Sequence, residues 1–111
     1  MKMLHSNLTK EHWFTFPTLE QMANIGVEVS RAIRFRQKGK NDLGEKAFFR
    51  ALELLYFTKG DPKNHNHRLK ELCRLYECLV DYFAGDNVYG SSDELLEKYF
   101  LGYNRVCRIL K

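Results

Sequence analysis

Apolar residues recur every three or four positions along most of this chain, which is the period of one face of an α-helix. The first such stretch begins at about Thr18 and ends at Gly39, a residue suited to the left-handed cap of a helix. Thr18 and Gln21 have the Thr-x-x-Gln spacing of a capping box, in which paired side chains and backbone amides close the first turn. Its apolar stripe comprises Leu19, Met22, Ile25, Gly26, Val29 and Ile33.

A second helix is predicted from Asn41 or Asp42 to the break at Gly60-Asp61-Pro62. Asp42 and Glu45 have the spacing of another capping box. Gly44 lies in the first turn, where glycine weakens a helix. We interpret it either as a place where two helices approach closely or as a sign that the helix starts later.

Two further stretches show the same period. The third predicted helix begins near Asn64 and ends at Gly85. The fourth follows a polar loop and runs to the C-terminus, and Ser91 and Glu94 at its start form a third capping box.

Short connections place consecutive helices antiparallel, so the pattern predicts an all-α fold, an up-down-up-down four-helix bundle. We expect this bundle to be a single domain formed by residues 17–111. Residues 1–16 are polar with isolated apolar positions, and we interpret them as an N-terminal arm. Trp13, Phe14 and Phe16 are expected to pin the end of this arm to the bundle.

Composition supports one globular domain, since the chain has 111 residues, of which 44% are hydrophobic and two are proline. These values exclude disordered and collagen-like chains. The three cysteines, Cys73, Cys78 and Cys107, are interpreted as free thiols in a reducing compartment. No apolar run reaches the length of a signal peptide or a membrane span, so we expect a cytoplasmic protein that is not bound to a membrane.

No catalytic signature is visible. The chain has neither a Gly-x-Ser-x-Gly elbow nor a phosphate-binding Gly-x-x-x-x-Gly-Lys loop. His65 and His67 lie about 200° apart if both are helical, and no third ligand follows at a matching spacing. We therefore predict a non-enzymatic protein without a metal or cofactor.

The antiparallel arrangement brings alternate turns to the same end of the bundle. At one end the basic residues that finish the first helix approach acidic residues that begin the second and fourth, as helix dipoles favour. The alternative for this end is a polar notch formed by Asp86, Asn87 and Tyr89 that binds a small ligand.

The other end carries most of the excess positive charge of a chain whose net charge is +4. One hypothesis is that it binds a phosphate or a nucleic-acid backbone, and the alternative is a solvated basic rim. The candidate binding residues there are His65, His67, Arg68, Arg105 and Arg108, and the other basic residues are Lys10, His12, Lys59, Lys63, Lys70 and Lys111.

Aromatic residues occur as adjacent pairs in several helices. Adjacent helical residues point about 100° apart, so one member of each pair tends to leave the core. Exposed aromatic residues that form a patch mark partner surfaces. We therefore expect a small interaction protein that self-associates or binds a protein partner through its helix faces, with nucleic-acid binding by the basic end as the alternative.

Three segments, residues 13–33, 50–64 and 79–100, resemble a family of small bacterial and archaeal helical proteins without assigned function. The resemblance implies no activity, but it draws attention to polar positions at Asn24, Glu28, Arg31, Arg50, Asp61, Asp86, Asn87 and Tyr89. The first three step by four and three residues along one face of the first helix. Such a row is either a satisfied structural network or the lining of a pocket between helices.

Overall fold

A computed structural model describes residues 9–110, without the side chains of residue 104 and residues 106–110. This part of the chain contains α-helices and one 3-10 turn but no strand, which confirms the all-α prediction. The helices are α1 (Lys10–Phe14), α2 (Thr18–Gln37), α3 (Asn41–Gly60), α4 (His67–Ala84) and α5 (Asp93–Leu110), and the 3-10 turn is Pro62–Asn64. The four predicted helices correspond to α2–α5, and the predicted arm contains the additional short helix α1.

The helices of the bundle run antiparallel to their neighbours, as the short connections predict. Between α2 and α5, Ser30 donates to Glu97 at 3.0 Å and Gln37 donates to Asp93 at 3.0 Å, so residue numbers rise along one helix as they fall along the other. Helix α2 packs on both α3 and α5, while α4 packs on α3. The apolar core lies among these helices and includes Trp13 of the arm.

Two glycines lie where α2 packs against its neighbours, and one of them, Gly26, has no room for a side chain. A Cβ atom at Gly26 would lie 2.8 Å from the Cβ of Phe100 on α5, and one at Gly44 would lie 3.4 Å from the Ala32 carbonyl on α2. Gly44 is buried in the first turn of α3. Of the two interpretations of Gly44, a late helix start is wrong, because α3 already begins at Asn41; the residue does lie against α2, but at a distance that would also accept a Cβ atom.

The helix starts differ from the predicted capping boxes. Helix α2 has no side-chain cap, and its Thr18 hydroxyl donates instead to Asn64 at 2.5 Å. Helix α3 follows Lys40 and also lacks a side-chain cap, so the Asp42–Glu45 box is wrong. At α5 the Ser92 hydroxyl, rather than that of Ser91, accepts from the backbone amide of Leu95 at 3.1 Å.

The predicted start of the third helix near Asn64 is wrong by three residues. Pro62–Asn64 forms the 3-10 turn, and α4 begins at His67 after Asn66, whose side chain accepts from the amide of Arg68 at 2.8 Å. The interruption places Asn64 in the interior, where it is fully buried. A continuous helix from Asn64 would lose this arrangement.

A buried polar cluster, here called the polar junction, lies where the arm, α2 and the α3–α4 connection meet. It comprises Trp13, Gln21, Thr58, Asp61 and Asn64, all of them buried. The amide nitrogen of Gln21 donates to the Trp13 carbonyl at 3.0 Å and to the Asp61 carboxylate at 2.9 Å. The amide oxygen of Gln21 accepts from Asn64 at 3.2 Å, and the Trp13 indole donates to Thr58 at 2.9 Å. Because buried polar groups are costly unless paired, this set of bonds favours one arrangement of the three segments.

Lys63 closes the polar junction from the solvent side. Its ammonium contacts the Asp61 carboxylate and donates to the Phe14 carbonyl at 2.9 Å. Burial alone raises the pKa of Asp61, but the hydrogen bonds from Lys63 and Gln21 outweigh burial and lower it. The polar junction therefore contains the ionised carboxylate of Asp61, which is paired with the ammonium of Lys63.

We expect Gln21→Ala to lower the free energy of unfolding by about 2–4 kcal/mol, because it removes three buried hydrogen bonds, to Trp13, Asp61 and Asn64, and leaves a void in the junction. Urea unfolding followed by circular dichroism measures this change. Gln37→Ala is the matched control, since Gln37 is an exposed glutamine at the other end of the same helix that also donates to a carboxylate. It should cost less than about 1 kcal/mol. Equal losses for the two variants would contradict the structural role of the junction.

Candidate functional site

Three of the predicted polar positions come together between α2 and α3. Arg31 donates to Glu28 at 3.1 Å and Arg50 donates to the other carboxylate oxygen of Glu28 at 3.3 Å. The Glu28 side chain is 12% exposed, so both guanidinium groups screen it from solvent. Asn24 is exposed one turn earlier. Of the three polar positions on the first predicted helix, Glu28 and Arg31 thus belong to a structural ion network, and Asn24 does not.

The loop between α4 and α5 is organised by Asp81 and Asn87. The Asp81 carboxylate accepts from the backbone amides of Val88 at 2.8 Å and Tyr89 at 3.0 Å. Asn87 has a positive φ of 54°, and its side chain bonds both the amide and the carbonyl of Ser91. Asn87 therefore fastens the loop, and the predicted ligand-binding notch receives no support from its contacts.

Asp86 and Tyr89, the other two residues of the predicted notch, are also exposed. The Tyr89 hydroxyl donates to Glu77 on α4 at 3.3 Å. This bond turns Tyr89 along the outside of α4. The three candidate residues of this loop thus do not converge on a common point.

The residues of the basic end are spread over the connection and two helix ends. His65 is exposed, and its Nε2 lies 2.8 Å from the Lys59 carbonyl. His67 is exposed at the first position of α4, Arg68 is half-buried beside it, and Arg105 is exposed on α5. The side chain of Arg108 lies outside the described residues. Among the residues whose side chains are described, no three His, Cys, Asp or Glu side chains are placed to hold a metal ion.

Several lysines of this end already have contacts within the protein. Besides the pair of Lys63 with Asp61, the Lys59 ammonium lies 4.5 Å from the centre of the Tyr76 ring. The Lys10 ammonium lies 5.7 Å from the centre of the Phe14 ring. These cation–π contacts hold the charges against aromatic faces. The basic end is therefore a surface of dispersed, partly engaged charges.

A cavity that the sequence did not reveal lies between α3 and the C-terminal end of α4. Its volume is about 310 Å³. Phe48, Phe49 and Phe83 supply its aromatic walls, and Arg36 lies at 5.4 Å from the centre of the Phe83 ring. The remaining lining residues are Ala32, Asn41, Gly44, Glu45 and Ala84. The adjacent pair Phe48-Phe49 is the sequence feature that could have indicated this cavity. The spacing of the pair alone, however, does not show which ring faces solvent.

A second cavity of about 300 Å³ lies at the opposite end of the same pair of helices. It is lined by Lys10, Tyr56, Phe57, Lys59, Gly60, His65 and Leu69. Three apolar residues of these helices are exposed: Phe49, which lines the first cavity, Tyr56, which lines the second, and Val80 of α4. We call the surface formed by Phe49, Tyr56, Val80 and the two cavities the aromatic groove.

Helices α4 and α5 are joined by hydrogen bonds from tyrosines to carboxylates. Tyr82 donates to Asp93 at 2.6 Å, while Tyr99 and Tyr103 donate to the same oxygen of Glu71 at 2.7 and 2.9 Å. Burial, together with the bond to Asp93, raises the pKa of Tyr82 to about 12. Burial and Glu71 also raise the pKa of Tyr99. Hydroxyls that donate to carboxylates resist deprotonation, so this seam stabilises the protonated phenols.

Comparison with known proteins gives no family for the chain, since no family model, curated protein or solved structure matches it significantly. The resemblance of its three segments to small helical proteins stays a prediction. Within residues 9–110, none of the helices combines the length and the apolar character needed to cross a lipid bilayer. The candidate site therefore has to be judged from its own geometry.

The tyrosine seam predicts a loss of stability at alkaline pH. The folded pKa of Tyr82, about 12, lies above its ordinary value of 10.0, so its contribution is complete below pH 10 and is lost as the pH rises through 12. Tyrosinate absorption and circular dichroism recorded over this range measure the effect. Tyr82→Phe should lower the free energy of unfolding by about 1 kcal/mol at neutral pH. The variant should also lose less stability than wild type as the pH rises from 10 to 12. Tyr56→Phe, which alters an exposed phenol, is the control, and a Tyr82→Phe variant with an unchanged alkaline profile would contradict the assignment.

Proposed function

We propose that this protein is a non-enzymatic helical interaction module that binds a protein partner through the aromatic groove. The observation that carries the proposal is the exposure of large apolar side chains on α3 and α4 next to two cavities. Phe49 is 46% exposed, Tyr56 is 63% exposed and Val80 is 37% exposed. Contiguous apolar surface of this kind is characteristic of interaction sites.

The shape of the groove supports binding of side chains from a partner. A depression lies at each end of it, and both depressions are bordered by aromatic rings and a basic residue. Interface anchors are enriched in aromatic residues that enter such pockets, with polar groups at the rim. Arg36 at one end and Lys59 at the other supply polar rims here.

The contacts of the acidic residues support a binding role rather than a catalytic one. Glu28 neutralises two arginines, Asp61 belongs to the polar junction, and Glu71 and Asp93 accept from tyrosines between α4 and α5. Each of these four carboxylates thus has a stabilising contact, and none of the four lines a cavity of the groove, whereas Glu45 does line the first cavity. A general acid or base needs a reactive group directed at a substrate site.

Binding of phosphate or nucleic acid by the basic end receives less support. Lys63 is paired with Asp61, and Lys59 and Lys10 lie over aromatic rings. His65 contacts a backbone carbonyl. A nucleic-acid surface requires charges that can be presented together to successive phosphates, and each of these four residues already has a contact within the protein.

The proposal is tested by capturing partners from a lysate of the native host with four immobilised baits. These are the wild-type protein, Phe49→Ser, Tyr56→Ser and the control Leu95→Ser, which removes a 58% exposed leucine from α5. We expect wild type and Leu95→Ser to capture the same proteins and each groove variant to lose about tenfold or more, as truncation of an aromatic interface anchor does. Bound proteins are quantified by mass spectrometry.

Thermal unfolding of the four baits is measured first, so that a folding defect is recognised before binding is compared. If the groove variants capture the same proteins in the same amounts as the control, the groove is not the binding surface and the proposed function is wrong. The copy number of this chain among the captured proteins is recorded separately.

A further inference from the structure

The outer face of α3 carries a regular row of five residues. They are Glu45, Phe49, Leu52, Tyr56 and Lys59, separated by four, three, four and three positions. This spacing keeps them on one side of the helix, as in the seam of a coiled coil. The opposite side of α3 enters the core through Ala47, Ala51 and Leu55, which are buried completely.

The row has opposite charges at its two ends and apolar residues between them. When two copies of α3 are placed side by side in antiparallel orientation about Leu52, Glu45 of each copy lies opposite Lys59 of the other. Phe49 of each copy then lies opposite Tyr56 of the other. A parallel alignment would instead place Glu45 against Glu45 and Lys59 against Lys59, which is unfavourable. The row is thus self-complementary in the antiparallel orientation alone.

The cavity beside Phe49 provides a place for the opposing tyrosine. Tyr56 is the most exposed aromatic side chain of α3, and its position in the antiparallel alignment is at the cavity that Phe48, Phe49 and Phe83 line. A cavity of about 150 Å³ already accepts a benzene ring, and this one has about 310 Å³. Arg36, Asn41 and Glu45 at the same cavity are polar partners for a phenol hydroxyl.

We propose that the partner of the aromatic groove is a second copy of this chain, bound by antiparallel pairing of α3 with Tyr56 of each copy inserted into the other's cavity. This inference rests on the proposed function, because it uses the same groove, and it names the occupant. A twofold axis near Leu52 makes the two contacts identical, as in an isologous dimer. The Lys59 ammonium lies 4.5 Å from the centre of the Tyr76 ring, and Lys59 lines the second cavity of the groove, which places the residue at the groove's edge.

The pairing is tested with purified protein in sedimentation equilibrium. We expect wild type to dimerise with a dissociation constant on the order of 1–100 µM, as for a small interface. Glu45→Lys and Lys59→Glu should each weaken the dimer about tenfold or more, since each creates two like-charge contacts about the twofold axis. An equimolar mixture of the two variants should form a heterodimer at least as stable as wild type, because both contacts become attractive again.

Tyr56→Ser should abolish the dimer, while Leu95→Ser, on α5, should leave it unchanged. Thermal unfolding of every variant establishes that it is folded, and rescue in the mixture separates a lost charge contact from a damaged monomer. Three results would overturn the inference: a monomeric wild-type protein at about 200 µM, an unchanged dimer in Tyr56→Ser, or a mixture that fails to recover association.

The two proposals fail in different ways. Purified protein that stays monomeric, together with a lysate partner that requires Phe49 and Tyr56, would reject the second copy and retain the interaction module. Baits that all capture the same proteins, together with a purified protein that stays monomeric, would reject both. A dimer of purified protein that survives Glu45→Lys but not Tyr56→Ser would reject the antiparallel register.

Discussion

The amide group of Gln21 lies where three segments that are distant in sequence have to meet. Its nitrogen and oxygen together bind the arm through Trp13, the end of α3 through Asp61, and the start of the next connection through Asn64. None of these bonds lies within a helix, so helix propensity does not supply them. Because every buried side-chain polar atom in the described part of the chain has a partner, moving any one segment would leave unpaired groups in the interior. The angle at which α3 turns into α4 is therefore set by a polar constraint as well as by apolar packing.

The surroundings of α4 follow from that constraint. Helix α2 approaches α5 closely at Gly26, where a side chain would collide with Phe100, and it packs against α3 beside Gly44. Helix α4 is attached differently, by the contact of Phe48 with Phe83 at 5.0 Å on one side and by tyrosine–carboxylate bonds to α5 on the other. Aromatic rings keep two helices further apart than small residues do. The space between α3 and α4 that results is the aromatic groove, so the groove is a consequence of how α4 is attached.

The repeat of apolar residues every three or four positions predicted the helices well. The contacts between residues distant in sequence were not predicted. Each helix has an apolar residue on the same face at several successive turns. A wrong interpretation of one position therefore does not change the prediction of a helix. Thr18 and Gln21 have the spacing of a local cap, yet their partners lie some forty positions away, at Asn64 and Asp61. Of the predicted site residues, Glu28, Arg31 and Arg50 do meet, but as an ion network. The groove was only partly foreseen, because an aromatic pair such as Phe48-Phe49 shows that one ring leaves the core without showing which helix lies beside it.

Helix α3 connects the stability of the bundle with its proposed role, because its two faces follow different rules. The inner face is built from small residues and leucines, which allow close packing against α2. On a helix whose inner face is already buried, the exposed aromatic residues Phe49 and Tyr56 leave about half or more of their surface in contact with water. Their charged neighbours, Glu45 and Lys59, lie at opposite ends of the row and not beside each other, so they cannot neutralise one another within one copy. A half-turn rotation brings Glu45 of each copy opposite Lys59 of the other and Phe49 opposite Tyr56, and this complementarity is the physical reason for preferring a second copy over an unrelated partner.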